Sequence, residues 1–419
     1  MCMEKLFVKG EKQLFGQVKV DGSKNAFLPI LAGCVLCDGQ VELSNFVDIA
    51  DVRCMCEILN TLSISTQIDK DKVLVNTKQI ENLKITHELT KKVRASIFLL
   101  GALLGRFREA VIAYPGGCKI GARPIDIHLK GFRDLGAKII ERHGYIYCHG
   151  QNLKAGNIEL SFPSVGATES LMMCACTLDG VTTIKNVAKE PEIVDLQNFL
   201  NAMGANVHGA GTDTLIIEGV KKFHSTKYSV MPDRIVAGTY LLAAATCGGD
   251  ILLDGAIAQH NEALLSFLKQ TACQIDVQSD RIRLKADKRL SSISNVQTGP
   301  YPLFPTDLQP QMMVLQSVSD GVCHLTENVF ENRFGLVPEL VKMGADIAVD
   351  GRIAHIVGKE KLYGADVYAS DLRAGASLVI AGLVAEGYTT IYNAEYIDRG
   401  YEKIEEKFGL LGADIQRIK

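Results

Sequence analysis

The sequence has no hydrophobic run long enough to cross a membrane. Its most apolar stretches, residues 99–104 and 378–384, are much shorter than the about 20 residues that a membrane-spanning helix needs. The first ten residues contain Glu4, Lys5 and Lys9 and lack the apolar segment of a signal peptide. We therefore expect a cytoplasmic protein with no membrane partner.

The chain also has little excess charge of either sign and lacks several common cofactor motifs. It contains 45 Lys and Arg residues against 48 Asp and Glu residues, which gives a formal net charge of −3 and argues against a nucleic-acid partner. No P-loop, dinucleotide-binding glycine fingerprint or zinc-finger signature is present. With 47% hydrophobic and 22% charged residues the chain is typical of a folded protein, for which we expect no metal and no resident cofactor.

The twelve cysteines do not indicate a disulfide framework. Most of them lie inside apolar runs, where a small buried thiol is the usual state. Cys34 and Cys37 form a C-x-x-C pair, but no second pair of Cys or His follows at the spacing of a zinc site. We therefore assign neither a metal nor a redox role to them.

The chain repeats itself six times. One anchor, a glycine that opens a short β-rich run, recurs every 66–72 residues at Gly39, Gly180, Gly249, Gly321 and Gly387, with Ala110 in the second copy. A second anchor, the small residue of an LGA-like tripeptide, recurs every 68–73 residues at Ser63, Gly136, Gly204, Ala272, Gly344 and Gly412. Two independent anchors with one period indicate a repeated architecture.

Each repeat predicts a strand, an apolar helix, a strand, an amphipathic helix and a β-hairpin, which is a βαβαββ unit. The first helix of each unit is apolar on nearly every side, so we expect it inside its domain with the sheets outside. The sixth unit has a single strand after its last helix, and we expect the N-terminal strand at residues 5–8 to complete it. The prediction is an α/β protein with two domains of three repeats, residues 21–226 and residues 1–20 plus 227–419.

A glycine-rich loop at residues 115–124 is the strongest departure from the repeat. Its glycines allow the backbone to approach a ligand or to move. Cys118 lies between Lys119 and Arg123, and these cations favour the thiolate. The residues leave two interpretations open, a reactive thiol and a flexible loop with an incidental cysteine. His128, ten residues further on, is predicted to be structural.

A basic residue stands near the start of several first helices. A cation there opposes the helix dipole unless an anion is to be held. The alternative is an ion pair with a neighbouring aspartate, Asp233 or Asp371. Recurrence in both halves of the chain favours an anionic ligand in a cleft between the domains. The residues concerned are Lys24, Arg94, Arg234 and Arg373.

Asp307 ends a proline-rich stretch, residues 298–307, at the predicted start of the fifth unit's first helix. Aspartate at such a position is most often an N-cap. A general base is the other interpretation, and position alone does not separate the two.

Nine segments together resemble the enolpyruvyl transferase family, in particular its branch that acts on UDP-N-acetylglucosamine. The resemblance runs from about residue 5 to residue 419. The segments are DGSKNAFLPILAG, PGGCKIGARPIDIHLKG, PSVGATES, AKEPEIVD, MPDRI, FPTDLQPQ, TENVFENRF, DLRAGASL and IDRGYEKI.

The resemblance implies the enolpyruvyl transferase fold, a two-domain inside-out α/β barrel built from six βαβαββ repeats. It also implies the reaction: transfer of the enolpyruvyl group of phosphoenolpyruvate to the 3-hydroxyl of UDP-N-acetylglucosamine, with release of phosphate. Addition followed by elimination passes through a tetrahedral intermediate. This reaction begins peptidoglycan synthesis, and its enzyme is the target of fosfomycin.

The resemblance also assigns catalytic roles. Cys118 matches the proton donor to the methylene carbon and the thiol that can form a covalent adduct with phosphoenolpyruvate. Asp307 matches the base for the sugar hydroxyl. Lys24, Asn25, Arg123 and Arg399 match the contacts to phosphoenolpyruvate. Acid and base would come from different domains, so we expect the chemistry to require closure.

Other positions match the family's segments for the nucleotide sugar. These are Arg94, Arg123, Pro124, Ile125, Asp126, Ile127, Phe162, Pro163, Ser164, Val165, Asp307 and Val329. Phe162 offers only its ring and its main chain for such a contact. Five further charged residues match supporting positions, although each could be an ion pair between domains: Glu190, Asp233, Arg234, Asp371 and Arg373.

Two alternatives remain beside this function. One is an enolpyruvyl transferase with another acceptor, such as shikimate 3-phosphate, which the cysteine loop disfavours. The other is a paralogue that binds a nucleotide sugar without turning it over, which the intact catalytic positions disfavour.

Overall fold

The computed structural model describes residues 4–116, 121, 124–287 and 289–418, which form two compact units. The N-terminal unit contains residues 22–116 and 124–231. The C-terminal unit contains residues 4–21, 121, 232–287 and 289–418. Each unit has its own hydrophobic core of buried residues.

The helices of the N-terminal unit divide into an apolar set and an amphipathic set. They are α1 (Lys24–Gly33), α2 (Ala50–Thr61), α3 (His87–Thr90), α4 (Phe98–Phe107), α5 (Asp126–Asp134), α6 (Val165–Ala175) and α7 (Pro191–Ala202). Nearly all side chains of α1, α4 and α6 are buried, whereas α2 and α5 keep exposed polar faces. The first helix of each repeat therefore lies inside, as predicted.

Three four-stranded sheets complete the described part of the N-terminal unit. The first has the order β14 (Thr226–Ser229), β3 (Gln40–Ser44), β5 (Lys72–Asn76), β4 (Ser65–Asp69). The second has the order β6 (Lys84–Ile85), β7 (Glu109–Ala113), β9 (Tyr145–His149), β8 (Lys138–Arg142). The third has the order β10 (Asn157–Glu159), β11 (Val181–Lys185), β13 (Thr214–Glu218), β12 (Asn206–His208).

The C-terminal unit repeats this helix arrangement. Its helices are α8 (Arg234–Cys247), α9 (Glu262–Gln270), α10 (Gln309–Val318), α11 (Val337–Lys342), α12 (Leu372–Val384) and α13 (Ile404–Gly409). Every residue of α8 and of α10 is buried, and so is nearly all of α12. Small residues such as Ala and Gly let these helices pack closely inside the unit.

Its sheets have the same strand order as those of the N-terminal unit. They are β16 (Gln274–Gln278), β17 (Arg281–Ala286), β15 (Gly249–Asp254), β2 (Leu14–Lys19); then β18 (Asn295–Gln297), β19 (Val322–Thr326), β21 (Ile353–Val357), β20 (Asp346–Asp350); then β22 (Asp366–Tyr368), β23 (Tyr388–Tyr392), β1 (Lys5–Lys9), β24 (Asp414–Ile418). Each sheet contains one parallel pair and two antiparallel pairs. This is the fold of six βαβαββ repeats that the sequence predicts.

Two strand pairings show how the chain closes its repeats. Strand β1 pairs antiparallel with both β23 and β24, which confirms the predicted completion of the sixth repeat. Strand β2 pairs with β15 of the fourth repeat, while β14 pairs with β3 of the first repeat. The sequence pattern does not reveal this exchange. The N-terminal unit of the structure includes residues 227–231, which the sequence analysis assigns to the second domain.

A left-handed residue explains the second sequence anchor. In all six repeats the anchor follows the second helix of the repeat and has a φ between 65° and 100°. Glycine adopts this conformation without strain, and it commonly ends helices for that reason. Ser63 and Ala272 adopt it with a side chain, at φ values of 65° and 69°. The anchor is thus a helix stop before each hairpin.

Gly101 allows α4 and α6 to pack closely in the N-terminal unit. A Cβ placed on Gly101 of α4 would lie 2.1 Å from the carbonyl oxygen of Ser170 in α6. Because that atom belongs to the backbone, a side chain could be accommodated only by moving one helix.

Within the described residues, no helix is both long enough and apolar enough to span a membrane.

Candidate active site

Two of the predicted site residues, Cys118 and Arg123, lie outside the described residues. The remaining ones are distributed between the two units, and the structure groups them into several clusters. Each cluster is described within its own unit.

Lys24 is the first residue of α1, as the sequence predicts. Its Nζ lies 2.8 Å from Oδ2 of Asp51 in the first turn of α2, and both side chains are largely buried. The helix start is fixed by Ser23, whose side chain accepts a hydrogen bond from the backbone N–H of Ala26. The ion pair with Asp51 and the cap by Ser23 therefore fix the position of Lys24, and Asn25 is the next residue of α1.

A cavity of about 330 Å³ opens beside the start of α5 in the N-terminal unit. The structure here brings together four of the residues predicted to meet the nucleotide sugar, Arg94, Pro124, Ile125 and Asp126. Arg94 also donates a long hydrogen bond of 3.5 Å to the carbonyl oxygen of Gly116. Further residues line the cavity that the sequence analysis missed: Tyr114, Pro115, Leu129, Arg133 and Glu141.

A hydrogen-bonded trio forms part of the cavity wall. The hydroxyl of Tyr114 donates to Oε2 of Glu141, and Arg133 donates to Oε1 of the same carboxylate at 2.9 Å. Burial, together with the bond to Glu141, raises the pKa of Tyr114 to about 12. The hydrogen bonds from Tyr114 and Arg133 lower the pKa of Glu141. The trio therefore presents one oriented, ionised carboxylate.

The segment that contains Phe162 lies near the start of α5. Phe162 is 48% exposed, and Ser164 caps α6 by accepting from the N–H of Ala167. A Cβ placed on Gly166 would lie 2.9 Å from Nε2 of the buried His128 in α5. The beginnings of α5 and α6 are thus adjacent; Ile127 is the second residue of α5, and Val165, which follows Pro163 and Ser164, is the first residue of α6.

Asp307 is held between two guanidinium groups in the C-terminal unit. Its Oδ1 accepts a hydrogen bond of 3.2 Å from Arg333, and its Oδ2 accepts one of 3.0 Å from Arg373. Both arginines are at most 4% exposed at their side chains, whereas the Asp307 side chain is 28% exposed. Two charge-assisted bonds thus orient a carboxylate that solvent can still reach.

The alternative of an N-cap role for Asp307 is wrong. Asp307 lies inside a 3₁₀ turn, Thr306–Leu308, and the residue that precedes α10 is Leu308. Two other predicted residues, Asp233 and Asp371, do cap their helices. Asp233 accepts from the N–H groups of Ile235 and Val236, and Asp371 accepts from those of Arg373 and Ala374.

A buried polar network contacts the guanidinium group of Arg373. The hydroxyl of Tyr401 lies 3.3 Å from Nη1 of Arg373 and 2.8 Å from Oγ1 of Thr239, and the Nε2 of Gln311 donates to that same Oγ1. The network joins α8, α10 and α12. Burial opposes the charge of Arg373, but Asp307 and Tyr401 outweigh it and raise the pKa of Arg373 above its usual value.

Glu327 organises the loop that carries Val329. Its carboxylate accepts hydrogen bonds from the N–H groups of Val329 and Phe330, and from the hydroxyl of Thr306 next to Asp307. Glu327 is almost completely buried, so these bonds fix both segments together. The sequence analysis missed Glu327 and Arg333, although both lie in the segment TENVFENRF.

Three further predicted residues occupy defined places outside these clusters. Arg234, the first residue of α8, lies with its guanidinium carbon 5.5 Å from the centre of the Tyr301 ring. Glu190 is the residue that precedes α7. Arg399 ends a 3₁₀ turn, Ala394–Arg399.

The described residues offer no ready metal centre of three or more ligands. No group of at least three His, Cys, Asp or Glu side chains in this part of the chain is arranged to hold a metal ion. The clusters themselves offer acid–base and electrostatic chemistry: an oriented carboxylate, buried guanidinium groups and a lysine fixed by a carboxylate.

Comparison with known proteins identifies the class to which this fold and these clusters belong. The family model of EPSP synthase (3-phosphoshikimate 1-carboxyvinyltransferase) matches residues 8–408. Among solved structures, the enolpyruvyl transferase NikO from Streptomyces tendae aligns with a TM-score of 0.89 at 24% identity, over 99% of both chains. EPSP synthase from Acinetobacter baumannii aligns with a TM-score of 0.76 at 19% identity, over 99% of this chain and 100% of that chain. The chain belongs to the enolpyruvyl transferase family.

Curated relatives narrow the class further. A protein named UDP-N-acetylglucosamine 1-carboxyvinyltransferase 2 from Caldanaerobacter subterraneus subsp. tengcongensis is 49% identical over 416 residues, which is 99% of this chain and 100% of the relative. A protein of the same name from Carboxydothermus hydrogenoformans is 46% identical over 418 residues, again 99% and 100% of the two chains. This chain is thus similar over its whole length to transferases of that name.

Proposed function

We propose that this protein transfers the enolpyruvyl group of phosphoenolpyruvate to the 3-hydroxyl of UDP-N-acetylglucosamine and releases phosphate. The observation that carries the proposal is the carboxylate of Asp307, oriented on both oxygens by buried arginines and still partly exposed. The full-length similarity to transferases of this name supports the choice of acceptor.

In the proposed addition step, Asp307 takes the proton of the sugar 3-hydroxyl while the oxygen of that hydroxyl forms a bond to C2 of phosphoenolpyruvate. The thiol of Cys118 gives a proton to C3, which converts the double bond into a tetrahedral centre. Elimination then removes a proton from C3 and expels phosphate, so the enol ether forms. General acids and bases contribute about 10²- to 10⁴-fold each to such proton transfers.

We assign phosphoenolpyruvate to Lys24, Asn25, Arg123 and Arg399, because a small trianion needs several cations to hold it. Asp51 supports this assignment for Lys24, since it fixes the ammonium group in place. No resident cofactor is proposed. A covalent adduct of Cys118 with phosphoenolpyruvate is part of the proposal.

We assign part of the nucleotide sugar to the cavity beside α5. Its volume of about 330 Å³ is near the lower end of roughly 300–1,000 Å³ for ligand pockets, so one portion of the nucleotide sugar fits it better than the whole. The exposed ring of Phe162 offers a stacking surface near the same helix starts. The proposed product is the first intermediate of peptidoglycan synthesis, made in the cytoplasm.

Phosphate release measured with both substrates tests the proposal. We expect release that requires phosphoenolpyruvate and UDP-N-acetylglucosamine together, and a loss of at least 100-fold in the Asp307→Ala variant. Asp350→Ala, which removes an exposed carboxylate at the end of β20, is the matched control and should keep full activity. Release with shikimate 3-phosphate instead, or full activity of Asp307→Ala, would contradict the proposal.

A further inference from the structure

Two histidines face each other on the outer side of the second sheet of the C-terminal unit. His324 of β19 and His355 of β21 are direct cross-strand partners in an antiparallel pair. Their Nδ1 atoms are 2.8 Å apart, and the ring centres are 4.9 Å apart with the planes at 79°. The strand register therefore holds the two nitrogens within hydrogen-bonding distance of each other.

The strands keep this pair on the solvent side. On β19 the neighbours Cys323 and Leu325 are buried, and on β21 Ala354 and Ile356 are buried. Because side chains alternate across a strand, the histidines lie on the opposite face. His324 is exposed and His355 is half-buried, so a solute from solution can reach the pair.

The distance between the two nitrogens suits a metal ion with ligands at right angles. Metal–imidazole bonds of about 2.0–2.1 Å place two ligands about 2.9 Å apart at 90° and about 3.3 Å apart in a tetrahedron. The observed 2.8 Å matches the right angle. Ni²⁺ and Cu²⁺ favour such square or octahedral geometry, and imidazole is among their preferred ligands.

We propose that His324 and His355 form a two-histidine site for a divalent transition metal, with water in the remaining positions. In the free protein one imidazole donates its Nδ1–H to the other. Binding shifts that proton to Nε2 of the same ring, so both imidazoles coordinate through a neutral Nδ1 and no net proton is released. The site is independent of the proposed transfer reaction, whose residues it does not include.

The sheet makes the site pre-organised. Both ligands come from strands whose pairing is already formed by five residue pairs, Val322–Val357 through Thr326–Ile353. Little conformational entropy is therefore lost on binding. A metal ion that bridges β19 and β21 also stabilises the folded state, because it binds that state alone.

Calorimetric titration with Ni²⁺ tests the site, since Ni²⁺ does not oxidise the chain's thiols. We expect one Ni²⁺ per chain that binds at least tenfold more weakly to His324→Thr and to His355→Thr. His208→Thr is the matched control, because it removes an exposed strand histidine that does not face another histidine. Equal Ni²⁺ binding by the parent and both pair variants would overturn the proposal.

Thermal unfolding gives a second measurement that does not depend on the titration. Ni²⁺ should raise the unfolding temperature of the parent and of His208→Thr, and should leave that of His324→Thr unchanged. Phosphate release should be the same in the parent and in His324→Thr, so failure of this site and failure of the proposed function are distinguishable. An identical Ni²⁺ effect on all three proteins would contradict the assignment.

Discussion

Asp307 and Arg373 are joined by a hydrogen bond of 3.0 Å between a partly exposed carboxylate and a buried guanidinium group. The guanidinium is positioned by α12, whose start is capped by Asp371, and by the hydroxyl of Tyr401. The interior of the C-terminal unit therefore sets the direction of the carboxylate. A general base must be oriented toward the proton it removes, and these hydrogen bonds fix the orientation of the Asp307 carboxylate.

Arg333 is predicted to be as important for Asp307 as Arg373 is. Arg333→Lys removes the planar fork that reaches both Asp307 and the carbonyl of Thr306. We expect the turnover number to fall at least tenfold and the free energy of unfolding to fall by about 1–3 kcal/mol. Steady-state kinetics and chemical denaturation measure the two effects.

Arg352→Lys is the control for this substitution, because Arg352 is exposed and contacts the same loop through the carbonyl of Glu327. Its stability should change by less than about 0.5 kcal/mol. Unchanged turnover in Arg333→Lys would show that one arginine suffices to orient Asp307.

The left-handed alanine after α9 gives a stability prediction. Ala272 has a φ of 69° and is exposed, so glycine relieves its strain without loss of packing. We expect Ala272→Gly to raise the free energy of unfolding by about 0.5–1 kcal/mol. Ala263→Gly, inside the same helix, should instead lower it by about 1 kcal/mol. Destabilisation by both substitutions would contradict the helix-stop interpretation.

His260 should make stability depend on pH. Burial, and then the charge of Arg234, lower the pKa of His260 to about 4 in the folded protein, against 6.5 for a free histidine. The stabilising effect of the neutral ring is complete above pH 6.5 and is lost as the pH falls through about 4. Denaturation between pH 7 and pH 4 should show a steeper loss in the parent than in His260→Gln.

His208→Gln serves as the control for this pH series, since His208 is exposed on β12. Its profile should follow that of the parent. Parallel profiles for the parent and His260→Gln would contradict the assignment.

The cysteines should differ sharply in reactivity. All ten described cysteines are buried, and burial raises the pKa of Cys174 and Cys247 to about 12. We therefore expect rapid labelling of the native protein at Cys118, with loss of turnover, and no rapid labelling at the ten buried positions. Peptide mass spectrometry locates the label. Cys2→Ser should keep the Cys118 label, and Cys118→Ser should remove it.

Fosfomycin extends the same test to the proposed chemistry. It should modify the parent at Cys118 and leave Cys118→Ser unmodified. Rapid labelling at one of the buried cysteines, or turnover that survives labelling of Cys118, would count against the proposed role of this thiol.

The repeats and the buried helices could be predicted because their signals are local. A glycine anchor, an apolar helix and an alternating strand each occupy a few neighbouring residues, and the period then assembles them. The partner of β1 followed because the sixth repeat lacked a strand. The exchange of β2 and β14 could not be predicted, since the alternation in each strand fits either sheet equally well.

The site was harder to predict where its contacts join distant residues. Tyr114 meets Glu141 across 27 positions, and Arg333 meets Asp307 across 26. No spacing rule connects such pairs. The choice between base and N-cap for Asp307 likewise depended on one turn of 3₁₀ helix, which the sequence leaves undetermined.

Mass spectrometry of the acceptor after reaction tests the central claim most directly. With phosphoenolpyruvate labelled by ¹³C, UDP-N-acetylglucosamine should gain one labelled enolpyruvyl group as one phosphate is released. The gain should be absent without the chain and at least 100-fold slower with Asp307→Ala. An unchanged nucleotide sugar, with the label found instead on shikimate 3-phosphate or on no acceptor, would contradict the proposed function.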